Sequence, residues 1–265
     1  MKEIDIVTYK KILIKILKYI HNICIENDIK YSLSGGSLIG AVRNNGIIPW
    51  DDDIDMILSP NDYRKLLRIL SKKNKHFKLL NPYTNDKYCY PFAKLIDTST
   101  ILYEEGMNNI DYGVYVDILE YHYVSNNKVI RSIQYLKQRI THSLLIASIQ
   151  NNDTRKKEKN IFKKIRNIIA DIYGPIRLKK TYIKLCNTKN KTNYLLSNWP
   201  IYGYKKEIQE SKFFTSFKIV KFENIEAYIN ADYDEILTKS FGNYMELPPV
   251  EQRKSRHSIK AYYKK

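Results

Sequence analysis

The chain lacks what small stapled or metal-clipped domains depend on. Its 265 residues hold three cysteines, Cys24, Cys89 and Cys186, far apart and without a Cys-x-x-Cys pair. That argues against a disulfide framework and a zinc knuckle, and it suits a reducing cytoplasm. No apolar run reaches the roughly 18 residues of a membrane-spanning helix. Acids and lysines interrupt the apolar positions between Lys2 and Lys18, so no signal peptide is expected at the start. The five histidines, at 21, 76, 122, 142 and 257, form no metal-binding spacing. Gly-x-Ser-x-Gly, His-Glu-x-x-His, Walker A and Gly-x-Gly-x-x-Gly patterns are missing too, which sets aside the enzyme classes built on them. There is no internal repeat.

Charge is plentiful and lopsided. The formal net charge is +17, and 13 Lys/Arg against three acids (Asp153, Glu158, Asp171) fall between Asn151 and Lys191, a local excess of +10. Abundant Lys, Asn, Ile and Tyr match the codon bias of an AT-rich genome, which accounts for the total better than for the clustering. A basic cluster suits an anionic membrane, a polyanionic substrate or nucleic acid. Aromatic residues do not concentrate with it, as a single-strand binding groove would require. Hydrophobic residues make up 43%, with 23 tyrosines and 8 phenylalanines, enough for one sizeable packed core.

The most informative segment is GGSLIGAVRNNGIIPWDDDIDMIL, residues 35–58. If Ile47–Leu58 is a strand, Asp53 and Asp55 share one face. Two carboxylates side by side in an apolar segment repel unless a cation lies between them, and Mg²⁺ (Mn²⁺ as the alternative) suits carboxylate and phosphate oxygens together. Asp51 shares that face nearer the strand's start, and Asp52 completes the run. Gly35, Gly36 and Ser37 offer backbone N–H groups and a hydroxyl to a phosphate. Asp117, a lone acid within VYVDIL, is the third carboxylate expected from a neighbouring strand, because an unpaired buried acid is costly. It would serve as metal ligand, general base or both. Arg43 and Lys94 are candidates for phosphate contact; a solvated arginine and a snorkelling lysine are the plainer alternatives. Trp50 is expected in the core rather than stacked on a base.

Periodicity predicts an amphipathic helix over 4–28, a short strand over 31–34 and a brief helix over 38–43. A capped helix over 63–71 and strands over 88–96, 100–104 and 113–119 come next. A helical stretch over 128–189 is broken at Asn151-Asn152-Asp153 and Gly174-Pro175. Short strands over 218–222 and 227–229 precede a helix over 233–241.

The string GGSLIGAVRNNGIIPWDDDID resembles the signature of the LicD family within the nucleotidyltransferase-fold superfamily. The resemblance continues at YPFAKLIDTST (90–100), GVYVDILE (113–120) and ADYDEILTKSFGNYMELPPVEQRKSRH (231–257). It implies an α+β fold: a nucleotidyltransferase-like mixed sheet flanked by helices. The expected division is a catalytic core over 1–127, a basic helical insertion over 128–192 and a return to the core over 193–265. It also implies catalytic and metal-binding roles for Asp53, Asp55 and Asp117. The activity implied is transfer of a substituted phosphate, phosphocholine foremost, from a CDP-alcohol to a sugar of a cell-surface glycan such as lipopolysaccharide, teichoic acid or capsule. Fukutin and fukutin-related protein, which transfer ribitol phosphate, are eukaryotic relatives of that family. His257 sits where the family tail often carries basic residues and histidine. The expected partners are the CDP-alcohol donor, a glycan or lipid-linked acceptor, and an anionic membrane met peripherally from the cytoplasmic side. The alternatives are transfer of NMP to protein, RNA or a small molecule, and a basic nucleic-acid-binding protein without catalysis.

Overall fold

Asp5 opens the first long helix. In the computed structural model, which describes residues 1–72, 74–107, 112–188, 190–255 and 259–264, its side chain accepts the Thr8 N–H at 2.9 Å. A short strand, β1 (Lys2–Glu3), precedes this cap, and α1 (Ile6–Glu26) follows it. Leu13, Ile16, Leu17, Ile20 and Cys24 recur at helical spacing and are fully buried. The chain continues through β2 (Tyr31–Leu33), α2 (Gly35–Ile39), a π-helical turn (Gly40–Asn44), β3 (Asp55–Leu58) and α3 (Pro60–Leu70). β4 (Phe77–Leu80), β5 (Ala93–Asp97), β6 (Thr100–Glu104) and β7 (Tyr115–Val124) come next. Then follow α4 (Lys128–Ile149), α5 (Asn152–Lys156), α6 (Ile161–Tyr173) and α7 (Pro175–Cys186). The remainder is β8 (Tyr194–Ser197), α8 (Tyr204–Glu207), β9 (Gln209–Glu210), β10 (Phe217–Phe222), β11 (Ile225–Asn230), α9 (Tyr233–Phe241) and β12 (Ile259–Tyr263).

The central sheet runs β2-β3-β7-β5-β4, with β8 added along the distal half of β7 and β9 paired to β8. β3 and β7 are parallel; the other neighbours are antiparallel. A second small sheet, β1-β12-β6, joins the two ends of the chain, and β10 and β11 form a hairpin. Tyr31, His21 and Tyr228 pack edge-on between β2, α1 and β11, and the Asn230 N–H donates to Ser32 Oγ at 3.0 Å. This is the expected α+β architecture of a mixed sheet with helices against it. The three cysteines are free thiols. Among the described residues no helix is long and apolar enough to cross a membrane.

Several boundaries differ from expectation, and three of them bear on the site. The strand expected over 47–58 begins only at Asp55, because Pro49 has no N–H to give a ladder and the Asp51 N–H turns back to the Ile48 carbonyl at 2.9 Å. Asp53 therefore precedes the strand. Residues 88–92 are also outside the sheet, with Pro91 among them, and β5 starts at Ala93. The helix expected at Leu38 begins three residues earlier, at Gly35, and passes into the π turn at Gly40. His257 lies outside the described residues, as does the neighbouring Arg256.

Two histidines are buried neutral in this scaffold. Burial lowers both His122 and His142 from 6.5 to about 4. Between those values the unfolded chain binds protons that the native state refuses, so their contribution to stability is lost as pH falls from about 6.5 toward 4. Glu120, pushed up from 4.5 to about 7 by burial, works in the opposite sense. The expected signature is therefore differential. In urea titrations, the stability deficit of His122→Gln relative to wild type shrinks as pH falls from about 6.5 to 4 and is flat above that range.

Candidate active site

The centre of the sheet sets three polar side chains abreast. Asp55 on β3 stands in register with Asp117 on β7, and Asp117 stands in register with Lys94 on β5. Paired residues on neighbouring strands face the same side of the sheet. The Asp117 N–H also donates to the Ile54 carbonyl at 2.9 Å, which locks the entry to β3 against β7. Lys94 Nζ lies 2.5 Å from Asp117 Oδ1, and the residue is only 3% exposed. Its ammonium sits 3.5 Å from the Tyr115 ring centroid, with Tyr90 at 5.0 Å and Phe92 at 5.1 Å. Lys94 is thus an ion-paired lysine in an aromatic box, not a snorkelling surface residue.

Asp51, Asp53, Asp55 and Asp117 all line one cavity of about 950 Å³. Burial pushes the Asp55 carboxyl well above the usual carboxylate range; Asp53 and Asp117 add to this, and Lys94 opposes it. Asp51, Asp52 and Asp53 bring carboxylate oxygens within 4.8 Å of one another. Asp52 does not line the cavity and accepts from the Ser255 hydroxyl. The expected set of Asp53, Asp55 and Asp117 does share the cavity, and Asp51 joins it.

The glycine segment is the first turn of α2 rather than a loop ahead of it. Gly35, at φ +53°, makes the turn out of β2, and a Cβ on Gly36 would lie 2.5 Å from Asp51 Oδ2. The first N–H groups of a helix have no partner within it, so this turn presents donors to the acidic face. Ser37 is placed otherwise than expected. It is buried beneath the turn, where its Oγ accepts the Asp55 N–H at 2.9 Å, so it braces β3 instead of lining the cavity. Arg43 lines the cavity, but its Nη1 donates to the carbonyls of Tyr244 at 2.9 Å and Glu246 at 3.3 Å. Trp50 is half-buried against the core and also borders the cavity.

The remaining walls come from positions that the sequence patterns do not single out. Trp199, Tyr202, Glu207, Phe241 and Tyr244 all face the cavity. Tyr202 and Phe241 pack edge-on at 4.9 Å, and Trp199 meets the His142 ring at 4.2 Å. Glu207, raised by burial, accepts the N–H groups of Ile201 and Tyr202 at 2.5 and 2.6 Å and so fixes that loop. The one signal for this wall is the tail segment 231–257, which supplies Phe241 and Tyr244; nothing comparable marks Trp199 or Tyr202.

Residues 28–144 match the family described as LicD/FKTN/FKRP, nucleotidyltransferase domain. The matched segment contains all of Asp51, Asp53, Asp55, Lys94 and Asp117, while the aromatic wall beyond residue 198 lies outside it. The lipopolysaccharide cholinephosphotransferase LicD of Haemophilus influenzae is 28% identical over 275 residues, 99% of each chain. Two shorter similarities involve uncharacterized rickettsial proteins. RP689 of Rickettsia prowazekii is 43% identical over 58 residues, 22% of each chain. RT0683 of Rickettsia typhi is 41% identical over 58 residues, 22% of this chain and 19% of its own. Residues 28–144 are therefore similar to the LicD family, and the chain is similar along almost its entire length to a lipopolysaccharide cholinephosphotransferase.

Proposed function

We propose that the chain is a metal-dependent transferase that moves phosphocholine from CDP-choline to a sugar hydroxyl of a cell-surface glycan. The whole-length similarity to a lipopolysaccharide cholinephosphotransferase supports the transferred group and makes lipopolysaccharide the first acceptor to test. The observation that carries the chemistry is the convergence of Asp51, Asp53, Asp55 and Asp117 on one cavity, with Lys94 as the ammonium paired into them.

That donor set fits a hard divalent cation. Oxygen ligands predominate, Asp55 is kept from easy ionisation by burial and then by the neighbouring acids Asp53 and Asp117, and a cation relieves both. Asp53 and Asp55 would hold Mg²⁺, with Asp51 or Asp117 beside them. When bound, the ion would neutralise the donor's phosphate oxygens and so ease departure of CMP.

The chain's own groups supply position and charge. The acceptor hydroxyl oxygen attacks the phosphorus of the phosphocholine group, the bond from that phosphorus to the oxygen bridging to CMP breaks, and CMP leaves with the bonding electrons. Asp117 would receive the hydroxyl proton, and its pairing with Lys94 fixes its orientation. The first turn of α2 at Gly35 and Gly36 would donate N–H groups to the pyrophosphate. Arg43 braces the facing wall through its two carbonyl partners while keeping its charge beside the cavity. The aromatic lining would limit the water that competes with the sugar as nucleophile.

Incubation with labelled CDP-choline, Mg²⁺ and lipopolysaccharide is expected to release CMP and label the glycan. Pyrophosphate release from CTP, with no turnover of CDP-choline, would replace this proposal with NMP transfer. Asp53→Asn and Asp55→Asn are each expected to lower turnover by at least about 10³-fold, the equivalent of several kcal/mol of charge stabilisation. Both variants are expected to keep the wild-type circular dichroism spectrum. In metal-free buffer Asp55→Asn is expected to melt above wild type, because it removes one of the mutually repelling carboxylates; a lower melting temperature would contradict the crowding of charge described above.

A further inference from the structure

Helix α6 is built inside out. Its sequence, IFKKIRNIIADIY, places Ile168, Ile161, Ile172, Ile165, Ile169 and Phe162 along one arc of roughly 120° at 100° per residue. In a helix that packs on a core this arc would face inward. Here the buried residues of α6 are Asn167 and Ala170, while Phe162 is 78% exposed, Ile172 71%, Ile161 61% and Ile168 59%. The polar side is the anchored side. Arg155 of α5 grips Asp171 with two hydrogen bonds of 2.6 and 2.7 Å and the Asn167 carbonyl with a third at 2.9 Å. Arg166 reaches Asn167 at 2.9 Å and Gln150 at 3.4 Å. The helix is therefore held by its hydrophilic face with its isoleucines turned to solvent.

The surrounding charge selects the occupant. Lys156, Lys157, Lys159, Lys163 and Lys164 are all exposed at or just before the start of α6. A second copy of this chain in a two-fold interface would bring the same lysines face to face. Nucleic acid would take the lysines and leave the isoleucines in water. A bilayer containing anionic lipid satisfies both, since lysines meet headgroups while an in-plane helix sinks its apolar face to the acyl boundary.

We propose that α6 is an interfacial membrane anchor that lies in the plane of an anionic leaflet. It inserts Phe162, Ile165, Ile168 and Ile172, and it holds the enzyme against the surface by apolar burial as well as by charge. The proposal stands apart from the catalytic assignment, since none of these residues borders the cavity.

The test is sedimentation of the full chain with vesicles at physiological ionic strength. Wild type is expected to pellet with phosphatidylcholine–phosphatidylglycerol vesicles and to stay in solution with phosphatidylcholine alone. Phe162→Ser combined with Ile172→Ser retains every lysine and is expected to lose at least about tenfold in bound fraction, because two large apolar groups no longer leave water. Its melting temperature and its CMP release with a soluble acceptor are expected to match wild type. Phe162→Trp is expected to shift its fluorescence to the blue on anionic vesicles. Failure of wild type to pellet, or equal pelleting by the double variant, would overturn the anchor. Light scattering that shows a wild-type dimer dispersed by the double variant would reassign the face to self-association.

Discussion

Strand register is the constraint on which the site depends. Because β3 and β7 run parallel with Asp55 opposite Asp117, and β5 runs antiparallel with Lys94 opposite Asp117, three charged side chains occupy one row across the sheet. A slip of one residue in either pairing would turn a charge to the other face and open the row. The hydrogen bond from the Asp117 N–H to the Ile54 carbonyl and that from the Asp55 N–H to Ser37 Oγ hold the register where β3 begins. Ser37 thus matters to the geometry without reaching the cavity.

The row would be unfavourable in a merely apolar setting. Its negative charge is partly offset by Lys94, whose ammonium is stabilised in turn by the faces of Tyr115, Tyr90 and Phe92. Those aromatics lower the local dielectric and so strengthen each charge–charge term, attractive or repulsive. Such a site is poised for a ligand that brings positive charge with it. Under the proposed transfer between two organic partners, the aromatic walls would limit the water that competes as nucleophile.

Local pattern made much of this legible. The capped helix α3, the two short strands that become β10 and β11, and the breaks at Asn151 and Gly174 follow from periodicity and punctuation. Asp53, Asp55 and Asp117 stand out in sequence because acids in apolar runs need a physical reason. Tertiary context decided the rest. Pro49 and the turn at Asp51 shortened the strand that Asp53 was expected to share. Lys94 could not be assigned from sequence, since a lysine on a strand looks alike whether it snorkels or is boxed. Trp199, Tyr202 and Glu207 reach the cavity through long-range packing of a segment with no periodic or motif signal. The outward face of α6 was hidden for a related reason: hydrophobic periodicity reports a face but not which way it points.

The wall of the cavity has a consequence for the order of folding. Arg43 is tied to the carbonyls at 244 and 246, Asp52 to Ser255, and β1 to β12. The acids and the groups that enclose them are thus about 200 residues apart in sequence. Contacts so distant must pay loop-closure entropy before they reward it, so the compartment closes late in folding, after the row itself has formed from nearer segments.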